Sequence, residues 1–293
     1  MKLKKIITEA VVKDNMFQIS EELTSIKQML IERLIIEGVD DPGILKCIFM
    51  AGGPGSGKGF TSSELFGIQS TIDSAMAASG LKVVNSDAAY TTLLKKNGID
   101  PKDMADIEKT NAELWDFMQS PTNANSLRNQ GKKITANQKA FYQAGRLGMV
   151  IDGTGHEFGK IARMKKEAED LGYDTMMVFV NTSLEVAKQR NLARDRVVPD
   201  DILTNSWLAV QNNLGKFKGL FGGNFEIVDN TSTAPYEHVF KNKQAGTKDI
   251  VLKPIAQDIH KAVARFISKP VQNPIGKNWI LTARMLKDKR LIK

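Results

Sequence analysis

The chain is organised around Cys47-Ile48-Phe49-Met50-Ala51-Gly52-Gly53-Pro54-Gly55-Ser56-Gly57-Lys58-Gly59. An apolar run enters a glycine-rich loop, and Lys58 follows Gly57 at its end. Gly52, Gly57 and Lys58 fit the spacing G-x-x-x-x-G-K. Glycines let the backbone curl with its N–H groups turned inward, and the next helix adds its N-terminus, so phosphate oxygens find a nest. Lys58 supplies a flexible point charge for the outer phosphates. The expected nucleotide-contacting residues are Gly52, Gly53, Pro54, Gly55, Ser56, Gly57, Lys58, Gly59 and Phe60. A mobile glycine loop is the competing reading, but a strand-like run before the loop and a helix-compatible run after it favour phosphate binding. One position departs from the pattern. The Ser or Thr whose hydroxyl ordinarily meets Mg²⁺ is Gly59 here, followed by Phe60, which leaves Thr61 as the candidate metal-facing hydroxyl.

Outward from the loop, strand-like and helix-like runs alternate. Strands are expected at 44–51, 81–85, 148–151, 175–180 and 225–228. Helices are expected at 58–65, 88–96 and 200–217, and over a stretch with Ile161, Met164, Ala168 and Leu171 on one face, ended by Gly172. Thr182 and Glu185 read as a T-x-x-E capping box that opens another helix, running to about Arg194. This alternation predicts an α/β fold: a parallel five-stranded sheet flanked by helices. Between strands two and three, 99–147 reads as an insertion with helical pieces at 101–118 and 136–146 around a polar loop. Pro121, Asn123, Asn125 and Gly131 mark that loop as poorly ordered.

The chain divides into an N-terminal segment 1–43, a main domain 44–230, a loop and closing helix over 231–268, and a basic tail over 269–293. Ser20 starts and Gly38 stops a helix over about 20–37 whose apolar stripe Leu23, Ile26, Leu30 and Leu34 is expected to pack on the main domain. The tail carries Lys277, Arg284, Lys287, Lys289, Arg290 and Lys293 against Asp288. It is either a solvated or structural extension, the C-terminal helical extension of the fold, or a nucleic-acid contact.

Apolar residues at 42% and charged residues at 25% describe a chain that buries a core, not a disordered one. The net charge of +8 favours polyanionic substrates or partners. The single Cys47 sits in the apolar run and builds neither an intrachain disulfide nor a cysteine zinc site, which suits a reducing cytoplasm. His156, His238 and His260 are too scattered for a zinc pattern. No apolar run reaches the ~18 residues of a membrane span, and no signal-peptide pattern opens the chain, so no membrane partner is expected.

In open parallel sheets, ligands bind beyond the carboxyl ends of the strands. Asp87 follows strand two and Asp152 ends strand three. Two carboxylates beside a phosphate loop suit phosphoryl transfer, one taking the proton of an attacking hydroxyl and the other organising Mg²⁺, usually through water. Asp87 is the expected base, with a plain N-cap as its competing reading. Asp152 is the expected magnesium-shell residue, with a turn aspartate as its alternative. Thr154 and His156, in and just after the turn that follows, are candidate substrate contacts. Arg190 and Arg194 lie four apart on one helix face and are candidates to neutralise charge on a transferred phosphoryl group. A solvated basic face is the alternative for both.

The order of these motifs resembles the P-loop kinases of the zeta-toxin type, especially phage-encoded members. The glycine loop comes first, then Val84-Asn85-Ser86-Asp87, then Ile151-Asp152-Gly153-Thr154-Gly155, then Val180-Asn181-Thr182-Ser183 leading to Arg190 and Arg194. The resemblance covers 44–230. It implies a central loop-bearing strand, ATP or GTP with Mg²⁺, a small-molecule phosphoryl acceptor, Lys58 as the phosphate lysine, Asp87 as the base and lid arginines at Arg190 and Arg194. Zeta toxins act on a hydroxyl of a UDP-linked amino sugar, but 99–147 has no sugar-nucleotide pattern, so toxin activity is not implied. Gly59 is instead similar to the glycine at this place in adenylate and uridylate/cytidylate kinases. The alternatives to a small-molecule kinase are a nucleic-acid end kinase or binding protein, and a nucleotide-binding regulatory or structural protein without turnover.

Overall fold

Strand β1 (Lys46–Ala51) is buried along its whole length, and the other strands are laid against it. The computed structural model describes residues 39–41, 43–66, 80–193, 198–231, 239–241, 248–250 and 254–288. Strand β3 (Met149–Asp152) flanks β1 on one side and β4 (Asp174–Asn181) on the other. Strands β2 (Lys82–Val84) and β5 (Phe225–Asp229) form the edges, giving the order β2-β3-β1-β4-β5. Every pairing in this sheet is parallel. This is the P-loop kinase-like α/β fold expected from the sequence.

The chain crosses between strands through helices. These are α1 (Lys58–Phe66), α2 (Ser86–Lys96), α3 (Met104–Thr110), α4 (Ala112–Gln119), α5 (Leu127–Ala144), α6 (Phe158–Asp170), α7 (Leu184–Leu192) and α8 (Asp200–Phe221). Two more, α9 (Pro254–Ser268) and α10 (Pro274–Asp288), follow the sheet. Strand alternation sends side chains to two covered faces. Cys47, Phe49 and Phe179 join Ile161, Phe217 and Phe221 on one face, while Ile48, Met50 and Val178 join Phe66, Val263 and Phe266 on the other. Burying one such side chain contributes about 1.5–3 kcal/mol. A third, smaller core of Tyr90, Leu94, Ile99, Met104, Met118 and Leu127 lies within the segment between strands two and three, and Trp115 packs against it.

The structure corrects several local expectations. The polar loop is short and ordered, and α5 begins at Leu127 instead of near 136. Ser126 caps it, accepting from Asn129 N at 3.3 Å and donating to the Ser120 carbonyl at 2.8 Å. Asn129 Nδ2 donates to the carbonyls of Ser120, Pro121 and Asn123. Residues that read as disorder therefore build the turn, because short polar side chains replace missing backbone partners. Gly131 lies inside α5 because a Cβ there would stand 3.1 Å from Tyr90 N. The cap of α7 is Ser183, not Thr182, since Ser183 Oγ accepts from Val186 N while Thr182 Oγ1 donates to the Asn230 carbonyl. Strands β6 (Val239–Lys241) and β7 (Lys248–Ile250) pair antiparallel where a loop was expected. The helix expected over 20–37 lies outside the described residues.

The segment from Lys269 is not a plain basic tail. Val271 and Ala283 are buried in the core of Phe49 and Phe179, with Trp279 and Ile280 packed beside them. Helix α10 meets the turn before β4 at two glycines: a Cβ on Gly276 would fall 2.2 Å from the Gly172 carbonyl oxygen. Gly276→Ala should therefore lower unfolding stability by about 1–3 kcal/mol, the usual cost of overpacking. Gly59→Ala, whose Cβ meets nothing within 4 Å, should not. Chemical denaturation of the two variants checks this, and an unchanged Gly276→Ala midpoint would contradict the contact.

Candidate active site

Parallel register sets the site. Met50 of β1 pairs with Asp152 of β3, so the carboxylate ends its strand where the loop leaves β1. The ladder continues past both strands, with Gly153 N donating to Met50 O at 3.2 Å and Gly52 N to Thr154 O at 3.0 Å. Gly55 and Gly57 take φ of 76° and 80°, the left-handed region that glycine adopts without strain. Gly55 also lies against helix α7: a Cβ there would fall 2.3 Å from the Ala187 carbonyl oxygen. The loop sequence is thus required by close packing as well as by curvature.

Lys58 Nζ lies 3.0 Å from Asp152 Oδ1, and both side chains are mostly buried, at 18% and 14% exposure. Asp152 Oδ2 accepts from Asn85 Nδ2 at 2.8 Å. Asn85 also caps α2, its Oδ1 accepting from Asp87 N at 2.8 Å. Asp87 is therefore in the first turn of α2 and is not its N-cap. Its carboxylate meets Arg128 Nη1 at 2.6 Å and is 70% exposed. The Arg128 guanidinium lies over the Tyr90 ring, 5.2 Å from its centroid. So open an ion pair typically contributes only ~0–1 kcal/mol, and it orients Asp87 more than it stabilises the fold.

A cleft of about 350 Å³ opens beside Asp152, Gly153, Thr154 and His156, between α5 and α6. Ser86 lines it, and Asp87 is the next residue in the chain. Thr154 Oγ1 and His156 Nδ1 are hydrogen-bonded, and His156 Nε2 lies 3.2 Å from Glu157. Buried Asn213 holds the turn from behind, its Nδ2 donating to the carbonyls of Gly155 and His156. Lys58, Asp152, Thr154 and His156 are thus brought to one end of the sheet.

Arg190 meets the loop at the same edge of the sheet, through the end of β5. Its Nη1 donates to the Asn230 carbonyl at 3.0 Å and Nη2 to Asn230 Oδ1 at 3.4 Å, while Asn230 Nδ2 donates to the Ser56 carbonyl at 2.8 Å. Arg190 therefore braces the loop through Asn230. Arg194 lies outside the described residues. Thr61 Oγ1 donates back to the Gly57 carbonyl at 3.2 Å and is buried within its own helix. Cys47 is not a nucleophile here, because burial pushes its thiol up to about 12.

The donor set fits a magnesium ion held mainly by water and phosphate. Asp152 Oδ1 is buried and accepts no hydrogen bond, its partner being the Lys58 charge. Among the described residues no group of three or more His, Cys, Asp or Glu could hold a metal by itself. Magnesium is commonly bound through one or two carboxylates plus substrate phosphates, so Asp152 alone would suffice as the protein anchor.

Sequence reasoning missed Asn85, Arg128 and Asn230. Asn85 and Asn230 each directly follow a strand at the carboxyl edge, a position that could have flagged them. Arg128 carries no local signal, since its partner is 41 residues away. Trp207 lies against the loop: a Cβ on Gly53 would be 3.9 Å from its Cδ1. Its fluorescence should report nucleotide binding. Asn230→Ala removes the side-chain donor to the Ser56 carbonyl and the Oδ1 acceptor of Arg190 Nη2, leaving the main-chain carbonyl that accepts from Nη1, and should weaken ATP binding about tenfold, the cost of one to two buried hydrogen bonds. Titration of Trp207 fluorescence measures this, and unchanged affinity would remove Asn230 as a brace.

Partial structural likenesses include a gluconokinase from Sinorhizobium meliloti at 15% identity, covering 78% of this chain and 95% of that one, TM-score 0.38. They also include the PezAT toxin–antitoxin system of Streptococcus pneumoniae (12%, 85% and 87%, 0.40) and a shikimate kinase from Acinetobacter baumannii in complex with shikimate (15%, 76% and 92%, 0.35). These likenesses are too remote to add weight to the fold, which rests on strand order and register. No curated protein matches the sequence. Residues 47–215, more than half of the 293-residue chain, match the family described as AAA domain, and the chain belongs to that family.

Proposed function

We propose that this protein is a kinase that moves the γ-phosphate of ATP or GTP to a hydroxyl or phosphate of a small molecule, a nucleotide or nucleotide-sugar being among the candidates. The observation that carries the reading is the Lys58–Asp152 pair at the root of the glycine loop, linked by Asn85 to the first turn that bears Asp87. The loop amides and Lys58 hold the outer phosphates. Asp87 swings from Arg128 to take the acceptor's proton as its oxygen bonds to phosphorus and the nucleoside diphosphate leaves. Asp152 would hold Mg²⁺, which would supply positive charge to the phosphate oxygens. Arg190 keeps the loop in shape, and charge neutralisation by a lid arginine falls to Arg194.

A second reading, nucleotide binding without turnover, draws on two observations. Position 59 has no hydroxyl, and Asp87 is engaged by Arg128. One variant separates the readings. Asp87→Asn should bind ATP like the wild type but transfer phosphate ~10²–10⁴-fold more slowly, the usual contribution of a general base. Retained turnover would remove Asp87 as the base. A wild type that binds ATP and transfers nothing would favour the second reading.

A further inference from the structure

The charged groups lining the cleft do not balance. They are Lys132 and Lys139 from α5, Lys160 from α6, His156, and the carboxylates of Asp152 and Glu157. Asp152 is taken up by Lys58 and Asn85, and Glu157 faces His156 at 3.2 Å. Lys139 pairs with Glu167 at 3.3 Å, away from the cleft lining. Lys132 and Lys160 remain. Among the described residues neither has a carboxylate within 4.0 Å, and Lys132 reaches only the Asn129 amide oxygen at 3.5 Å. They stand on two helices that both line one cavity. Its floor is apolar, with Val84, Ile151 and Met164.

Two uncompensated ammonium groups over a low-dielectric floor focus positive potential into the cleft. A neutral polyol gains nothing from that field, whereas an anion does. At about 350 Å³ the cleft is at the lower end of the range for small-molecule sites, so it holds a compact ligand and not a polymer. Its inner end is the Asp152–Thr154 turn beside Lys58, so a ligand anchored between the lysines would present its other end to the phosphate loop.

We propose that the phosphoryl acceptor is a small anion, a carboxylate or phosphate ester with a hydroxyl, whose charged group is held between Lys132 and Lys160. This rests on the kinase reading and names the substrate class of the same site.

The test is calorimetric binding to the whole chain with its loop saturated by a non-hydrolysable ATP analogue. Two matched pairs serve as probes: D-glycerate against glycerol, and glucose 6-phosphate against glucose. The expected result is that at least one anion binds and its neutral partner does not. The Kd of that anion should rise at least tenfold in Lys132→Gln/Lys160→Gln, with affinity for the ATP analogue unchanged. The arm that binds distinguishes a carboxylate from a phosphate ester. Equal binding of the neutral partner, an anion indifferent to the double variant, or no anion binding up to millimolar concentration would overturn the proposal. Binding is read without turnover. A chain that binds the anion through these lysines but transfers nothing therefore sinks the kinase reading alone, and transfer to a neutral acceptor sinks this inference alone.

Discussion

The register between β1 and β3 is the constraint on which the site depends. Because Met50 pairs with Asp152, the carboxylate comes to the root of the glycine loop, within 3.0 Å of the Lys58 ammonium. A mostly buried charge needs such a partner, and a one-residue slip would turn Asp152 to the other face of the sheet and leave Lys58 without it. The adjoining register of β2 on β3, with Val84 beside Ile151, brings Asn85 to the same carboxylate. One strand alignment thus positions the phosphate lysine, its counter-charge and the helix that carries Asp87.

Around that alignment the loop is braced by neighbours. Helix α7 presses its Ala187 backbone against Gly55, Asn230 donates to Ser56, and Trp207 covers Gly53 while its Nε1 donates to the Thr182 carbonyl. Thr182, Arg190 and Asn230 form a web that ties the ends of β4 and β5 to the loop. Such a loop is held in shape before any phosphate arrives, which lowers the ordering cost of binding. Gly59 sits outside this web with open space around it. Its lack of a side chain is not a packing requirement.

The sheet was legible in the sequence because apolar runs and helical stretches alternate along it and each strand's end carries polar punctuation. The loop was legible residue by residue, since its glycines answer to backbone curvature and to contact with α7. Pairings across the chain were not. Asp87 meets Arg128 through the packing of α2 on α5, and that packing depends on Gly131, which from sequence alone read as a loop glycine. The lid role of Arg190 was implied by the resemblance, and helical spacing reveals a face but not that this face meets Asn230. Helix α10 was masked by its charge: lysines and arginines on the outer side hid the Gly276, Trp279, Ile280 and Ala283 that pack inward.

The central claim is that nucleotide held at this loop is used for transfer to a small molecule. The most direct measurement incubates the chain with γ-labelled ATP and a small-metabolite extract, then identifies the labelled species. The account predicts a labelled small-molecule product with the wild type and none with Lys58→Met. Bound nucleotide with no labelled product, or label recovered only as free phosphate, would contradict it.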